Sequence, residues 1–456
     1  MAETKNSPFK AYDIRGRVPE ELNETMAFHI GKAFAGLLNA QKVVIGHDVR
    51  ESSRPLSLAL AQGLASQGVG VFDIGLCGTE EIYFSTAHYG LDGGIMVTAS
   101  HNPQEYNGMK LVQRESRPIS GDSGLKTIES MVLSDNEVFL PSETAPCKPL
   151  QHRKDYIQHL LSYINVANLK PIRIVTDAGN GCAGPIIDVL EPFLPFEFIK
   201  ICHEPDGRFP NGIPNPLLSE NRHRTAQAVR ETGADLGIAW DGDFDRCFLF
   251  DEQGGFIEGY YLVGLLAEAF LLKHSGKSLK IVHDPRLTWN TIEITKALSG
   301  IPIQSKTGHA FIKERMRKED AIYGGEMSGH HYFKKFSYCD SGMIPWLLIT
   351  ELMCVRGMPL SQMVMERQRR FPVSGEINRR VKDIQQVLAF IEEAYKKEAA
   401  RIDYTDGLSM EFEKWRFNLR GSNTEPLLRL NVETREDIAL LQEKTANLLQ
   451  HIEKMG

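Results

Sequence analysis

Short aliphatic runs that stop abruptly at acidic or glycine-bearing turns recur along this chain, and they constrain its fold more than any other feature. Lys42-Val43-Val44-Ile45-Gly46-His47-Asp48 and Gly93-Gly94-Ile95-Met96-Val97 read as buried strands, each feeding a polar turn. The pattern restarts where the strand from Ile172 runs into Asp177-Ala178-Gly179-Asn180-Gly181, and again at Leu279-Lys280-Ile281-Val282-His283-Asp284-Pro285. Helix-period stretches at 21–38 and 56–67 flank the first of these strands. Alternation of this kind buries a sheet between layers of helix, so the chain reads as three α/β units in series. Pro-containing connectors near 141–149 and 371–376 set off a smaller α+β unit at the end. The expected domains are 1–150, 151–255, 256–370 and 371–456. A length of 456 residues, against roughly 150 per domain, requires several cores.

Bulk properties narrow the function classes. Hydrophobic residues at 42% and charged residues at 24% describe an ordinary globular protein with enough apolar surface to fold. A net charge of -7 argues against a nucleic-acid partner, because the backbone of a nucleic acid is bound by neutralising it. An anionic ligand would have to be held locally, by arginines, lysines and helix N-termini. The start carries no apolar core of signal-peptide length. The most apolar later stretch, from Met343, is interrupted by Pro345 and Glu351 and is far shorter than the ~20 residues of a membrane span. Seven scattered cysteines, an odd number with no C-x-x-C pair, fit a reduced, cytoplasmic setting.

Four motifs carry chemistry. Thr98-Ala99-Ser100-His101-Asn102-Pro103 follows an apolar strand and precedes Tyr106-Asn107-Gly108-Met109-Lys110. A serine hydroxyl at a strand end is accessible to a phosphoryl group, although the same residues also make a turn capped by Ser and Asn and closed by Pro. No G-x-S-x-G elbow surrounds Ser100, which weakens a hydrolase reading. Asp241-Gly242-Asp243-Phe244-Asp245-Arg246 places three carboxylates within five residues after another apolar run. They repel unless a cation neutralises them, and carboxylate oxygens suit a hard metal such as Mg²⁺. It is no EF-hand, since Arg246 stands where that loop needs its glycine.

Gly179-Asn180-Gly181-Cys182-Ala183-Gly184 satisfies G-x-G-x-x-G after a strand, and Glu197 lies near the place of a ribose-binding acid. A dinucleotide-dependent oxidoreductase is therefore the rival reading. Against it, Pro185 opens the next segment, and no dehydrogenase needs the triple Asp or Ser100. In Arg420-Gly421-Ser422-Asn423-Thr424-Glu425-Pro426, with Arg429 nearby, guanidiniums and hydroxyls form a plausible phosphate cradle. Ser422 and Glu425 also have the spacing of a helix capping box, and a helix start is itself an anion site. Lys306-Thr307-Gly308-His309 and Gly325-Glu326-Met327-Ser328-Gly329-His330-His331 are polar loops with no independent specificity.

In order, AYDIRG, TASHNP, DGDFDR, KTGH, GEMSGH and RGSNTEP resemble the motifs of the α-D-phosphohexomutase family over nearly the whole chain, closest to its bacterial phosphomannomutase/phosphoglucomutase type. The resemblance implies three related α/β domains plus a smaller C-terminal α+β domain around a central cleft. It implies interconversion of mannose 6-phosphate and mannose 1-phosphate, through a phosphoserine and a hexose 1,6-bisphosphate that also serves as activator. Glucose phosphates are alternative substrates, and the product would feed GDP-mannose and surface polysaccharide synthesis. By the same resemblance Ser100 carries the phosphate, and Mg²⁺ is held by Ser100, Asp241, Asp243 and Asp245. Arg246 steadies the phosphoryl group, Lys110 and His309 serve proton transfer, and His101 and Arg15 flank the phosphoserine. Tyr12, Arg286, Glu326, Ser328, Arg420, Ser422, Asn423, Thr424 and Arg429 are the implied substrate-binding residues, with Asp48 and Arg50 in support. The implied partners are small-molecule hexose phosphates, with no nucleic acid and no membrane.

Overall fold

The computed structural model describes residues 7–140, 144–421 and 427–455. The chain divides into two compact units: residues 1–256 with 335–356, and residues 257–334 with 357–456.

Within the first unit, one sheet runs in the order Ile14–Arg17, Tyr106–Gln113, Gly93–Val97, Lys42–His47, Gly70–Leu76, Cys147–Pro149. Gly93–Val97, Lys42–His47 and Gly70–Leu76 are mutually parallel, as strands joined by crossover helices must be. Tyr106–Gln113 returns antiparallel beside Gly93–Val97 and places Lys110 opposite Met96. The helix Glu24–Leu38 starts where the Asn23 side chain accepts the Met26 N–H at 3.0 Å, and with Ser53–Ser66 it buries Ile30, Phe34, Leu60 and Leu64 in the core of this sheet. The second sheet of the unit runs Cys247–Phe250, Leu236–Trp240, Arg173–Asp177, Glu197–Ile201. Leu236–Trp240 and Gly93–Val97 are buried along their whole length. Such strands are near-continuous apolar runs, which is why they were legible without alternation.

The helix Ile344–Arg356 also belongs to the first unit, although it follows the third α/β stretch in sequence. Its residues are buried on nearly all sides, which explains the long apolar run from Met343 as core. No helix among the described residues is long and apolar enough to cross a membrane. All seven cysteines are free.

The second unit contains the strands Ile301–Gln304, Lys280–His283, Tyr323–Gly325 and His331–Phe333, adjacent in that order, the first three parallel. It also contains an antiparallel sheet in the order Ile377–Arg380, Leu427–Thr434, Trp415–Gly421, Leu408–Glu411, Arg401–Asp403. The helices Ile384–Tyr395 and Ile438–Met455 cover that sheet around Phe417, Val432, Ile391 and Leu448, giving the expected α+β unit.

Two histidines are held neutral. Burial pushes His331 down to about 3, where its Nδ1 lies 2.8 Å from the Tyr323 hydroxyl, and burial with the Lys335 ammonium nearby pushes His159 down to about 4. An unfolded histidine takes up its proton near pH 6.5, so the unfolded chain binds more protons below that pH, and the stability held at neutral pH is lost as pH falls. The unfolding free energy measured by denaturant titration is therefore expected to drop between pH 6.5 and pH 4, by up to about 1.4 kcal/mol per pH unit for each such histidine. A shallower slope for His331→Phe checks the attribution.

Candidate active site

Ser100 stands just beyond the C-terminal end of Gly93–Val97, the end of a parallel strand at which α/β folds present their functional groups. Its φ of +49° is left-handed, a conformation a serine holds only when its surroundings impose it. Thr98 and Arg50 impose it here. The Thr98 hydroxyl accepts the Ser100 N–H at 2.8 Å and donates to Asp48 at 2.7 Å. Arg50, buried beneath the loop, donates to the carbonyls of Ser100, Asn102, Pro103 and Tyr106 at 2.6–3.1 Å. Asp48 fixes Arg50 in turn, accepting its N–H at 3.0 Å and the Ser53 hydroxyl at 2.5 Å. From the other side Arg15 donates to Asn102 at 2.6 Å and Asp13 at 2.7 Å, and Tyr12 lies half-buried just before the same strand.

Leu236–Trp240 delivers Asp241, Asp243 and Asp245, all buried, with ligand oxygens within 4.8 Å of one another. The Ser100 hydroxyl donates to Asp241 Oδ2 at 2.8 Å, although 141 residues separate the two. Lys110 donates to Asp243 at 2.6 Å and to Asp245, and Thr79 donates its hydroxyl to Asp243. Arg246 holds Asp241 Oδ2 through Nε at 3.0 Å and Nη2 at 2.6 Å. Burial alone would raise the Asp243 carboxyl, but the Lys110 ammonium holds it well below the usual range. Burial would likewise lower Lys110, and Asp243, Asp245 and Asp241 together push it up instead. His101 is driven the other way, well below its ordinary value, by burial and by the Arg246 and Arg15 guanidiniums. It is therefore a neutral imidazole whose Nδ1 accepts from Arg246 at 2.5 Å and lies 3.0 Å from the Ser100 oxygen.

Three carboxylates against Lys110 and Arg246 leave a buried excess of negative charge. Asp243 Oδ1 is also buried without a hydrogen-bond partner among the described residues. An all-oxygen donor set with an unsatisfied buried carboxylate oxygen fits a hard divalent cation such as Mg²⁺.

The G-x-G-x-x-G turn has a different task. A side chain on Gly181 would place Cβ 2.6 Å from the Gly242 carbonyl oxygen, and the Cys182 N–H donates to that oxygen at 3.1 Å. One on Gly184 would meet the His203 carbonyl oxygen at 2.1 Å. Backbone occupies the space where a pyrophosphate would lie, and Glu197 is paired with Arg173 at 3.2 Å on the strand surface. The turn supports the Asp loop and is not a dinucleotide site.

In the second unit, Asp284 and Arg286 follow the strand Lys280–His283 and form a two-bond ion pair at 3.2 and 2.8 Å. Arg286, Arg420 and Arg429 surround one carboxylate, Glu376, at 3.6, 3.6 and 3.1 Å. Three guanidinium forks converging on one place suit an anion with several oxygens. Glu326 is buried and accepts from the Gly308 N–H at 2.8 Å and the Tyr332 hydroxyl at 2.6 Å, tying its loop to Lys306–His309. Ser328 lies half-buried two residues further on, and His309 opens the helix His309–Glu319. Ser422, Asn423 and Thr424 lie outside the described residues. Glu425, the other half of the capping-box spacing, lies outside them too, and Leu427–Thr434, which follows, is a strand paired with Trp415–Gly421.

Sequence reading missed Thr79, Glu376 and Asp284. For Asp284 a signal exists, since His47-Asp48-x-Arg50 and His283-Asp284-x-Arg286 are the same pattern at two strand ends. The geometry repeats: each Asp Oδ1 accepts the N–H of the Arg two residues on at 3.0 Å, and each His Nδ1 lies 2.9 Å from the carbonyl oxygen of that Asp.

Residues 6–138, 154–255 and 258–371 match the descriptions phosphoglucomutase/phosphomannomutase alpha/beta/alpha domains I, II and III, and residues 376–448 match the C-terminal domain. A phosphomannomutase of Salmonella montevideo is 59% identical over 450 residues, covering 97% of this chain and 98% of that one. Proteins named phosphohexose mutases from Xanthomonas campestris pv. campestris reach the same 59% over 445 residues, covering 97% and 99%. A crystal structure of a phosphoglucomutase/phosphomannomutase family protein from Burkholderia thailandensis superposes with a TM-score of 0.84 at 30% identity, covering 98% of this chain and 97% of that one.

Because Gly181 touches the Asp loop from behind, Gly181→Ala is expected to displace Gly242, costing about 1–3 kcal/mol of stability and weakening Mn²⁺ or Mg²⁺ binding measured by calorimetry. Metal binding equal to the parent's would show that the turn does not set the loop.

Proposed function

The chain belongs to the phosphoglucomutase/phosphomannomutase family, and on that premise we propose that it interconverts mannose 6-phosphate and mannose 1-phosphate, with Ser100 as the phosphate carrier. The observation that carries this reading is the convergence of the Ser100 hydroxyl, three carboxylates, Lys110 and Arg246 on one buried point. A phosphoryl transition state spreads negative charge over its equatorial oxygens, so catalysis needs positioned cations more than a strong nucleophile.

Asp241, Asp243, Asp245 and the Ser100 oxygen would hold Mg²⁺, which when bound supplies positive charge beside the phosphoryl oxygens. Arg246 stays charged in its buried place and steadies the phosphoryl group from the side of Asp241. Neutral His101 orients the Arg246 fork through Nδ1. Lys110 and His309 are assigned to the proton transfers at the sugar hydroxyls. In the first half-reaction phosphoserine loses its phosphate to the C1 hydroxyl of mannose 6-phosphate, forming the 1,6-bisphosphate. In the second the bisphosphate, turned about, returns its other phosphate to Ser100. Added bisphosphate primes an unphosphorylated enzyme and so acts as activator.

Arg286, Arg420 and Arg429, with Ser422, Asn423 and Thr424, are assigned to the phosphate that is not being transferred. Tyr12, Glu326 and Ser328 are assigned to the sugar. O3 and O4 exchange places when a hexose turns over, so one pair of groups serves both orientations. Mannose and glucose differ at C2, so Glu326 and Ser328 do not reject glucose phosphates, and phosphoglucomutase activity is the alternative that this reading keeps. The domains are read as 1–150, 151–255, 256–370 and 371–456, and the free cysteines fit work in the reducing cytoplasm.

Ser100→Ala is expected to abolish turnover of mannose 1-phosphate in a coupled assay, even with added bisphosphate. Turnover near the parent's would remove Ser100 as carrier. Asp243→Asn is expected to raise the Mg²⁺ activation constant by about tenfold or more; an unchanged constant would place the metal elsewhere.

A further inference from the structure

Glu80, a fully buried carboxylate that no motif singles out, gathers four hydrogen bonds from two distant segments. Oε1 accepts from the Tyr156 hydroxyl and from the Ser341 hydroxyl at 2.9 Å. Oε2 accepts from the Gly342 N–H at 2.5 Å and the Met343 N–H at 3.3 Å. A charged carboxyl group taken out of water is costly, and burial pushes Glu80 up to about 8 although these four donors pull the other way. The Ser341 hydroxyl meanwhile accepts the Met343 and Ile344 N–H groups, both at 3.1 Å, at the start of the helix Ile344–Arg356.

The residues on either side of Glu80 in this network grip the Asp loop. Thr79, its neighbour in sequence, donates its N–H to the Asp243 carbonyl at 3.1 Å and its hydroxyl to the Asp243 carboxylate. The ring of Phe244 lies so close over Gly78 that a Cβ there would come within 2.1 Å of it. On the opposite side, the Gly342 carbonyl accepts the indole N–H of Trp240, the residue before Asp241, at 3.0 Å. A Cβ on Gly342 would lie 2.4 Å from the Phe244 carbonyl oxygen and 3.0 Å from Arg246. The segment 240–246 is thus held between the 78–79 turn and the backbone of Gly342. Glu80 joins those two surfaces directly, and its hydrogen bonds go to Tyr156, Ser341, Gly342 and Met343 rather than to the loop.

We propose that Glu80 is a positioning residue for the metal loop: it sets the distance between Thr79 and Gly342, and through them the placement of Asp241, Asp243 and Arg246. The proposal rests on the reading of Asp241–Asp245 as the metal ligands. Glu80→Gln keeps the size of the side chain but, with its oxygen left facing the Gly342 and Met343 N–H groups, puts an amide NH₂ donor where Oε1 accepts from the Tyr156 and Ser341 hydroxyls. Outer groups that orient metal ligands typically change metal affinity or activity by about 10- to 100-fold.

In full-length protein, Glu80→Gln is expected to lower kcat and raise the Mg²⁺ activation constant, each by about tenfold, with KM for mannose 1-phosphate unchanged. Hydrogen exchange measured by mass spectrometry is expected to quicken across residues 241–246. Tyr156→Phe removes a single donor, and a smaller change in the same direction is expected; it decides the matter on the same readouts if Glu80→Gln does not fold. A lower melting temperature with exchange at 241–246, kcat and metal activation all as in the parent would overturn the proposal and leave Glu80 a fold-stabilising residue only. If the parent turns over no hexose phosphate, the functional reading fails, and the exchange comparison still decides whether Glu80 sets the loop.

Discussion

Everything in the first unit is arranged around mutual repulsion among three carboxylates in a place without water. Two like charges about 4 Å apart repel by about 4 kcal/mol at an effective dielectric constant near 20, so a loop carrying Asp241, Asp243 and Asp245 would not stay together unaided. Lys110 and Arg246 offset part of that repulsion, and a metal cation would offset the rest. Ser100 enters the same field as a neutral donor to Asp241. A phosphate at Ser100 would bring more negative charge, which explains why a site of this kind is built from buried carboxylates and cations together.

Rigid backbone is what keeps such a charge cluster in register. Both reactive loops leave fully buried central strands, and each is tied down by groups that do no chemistry. Arg50 spends its guanidinium on four carbonyls of the Ser100 loop. Gly181 and Gly342 offer bare backbone against Gly242 and Phe244, where any side chain would collide. The second unit reuses the device, with Asp284 and Arg286 standing after a strand as Asp48 and Arg50 do. In that unit, however, the arginine is turned toward a carboxylate and two further arginines instead of toward a neighbouring loop.

Much of this was legible in the order of residues. Apolar strands ending in polar turns announced the α/β units, because burial on both faces demands uninterrupted aliphatic runs. The Asp loop was legible because its three carboxylates are neighbours in sequence. The loop at Ser422 was ambiguous, since i to i+3 spacing says nothing about a partner strand. The G-x-G-x-x-G turn was ambiguous for a related reason: glycine permits close approach by phosphate and by backbone alike, and only the position of Gly242 decides between them.

By itself, then, the sequence determined the kinds of elements, their order and the chemistry concentrated in single loops, since periodicity and local charge act between near neighbours. Tertiary structure alone decided that Ser100 meets Asp241, that Lys110 spans Asp243 and Asp245, that Glu376 collects three arginines and that Glu80 bridges Tyr156 to Gly342. A lone Glu or Lys carries no mark of burial or partner. It acquires both only when segments distant in the chain close around it and exclude the water that would otherwise satisfy its charge.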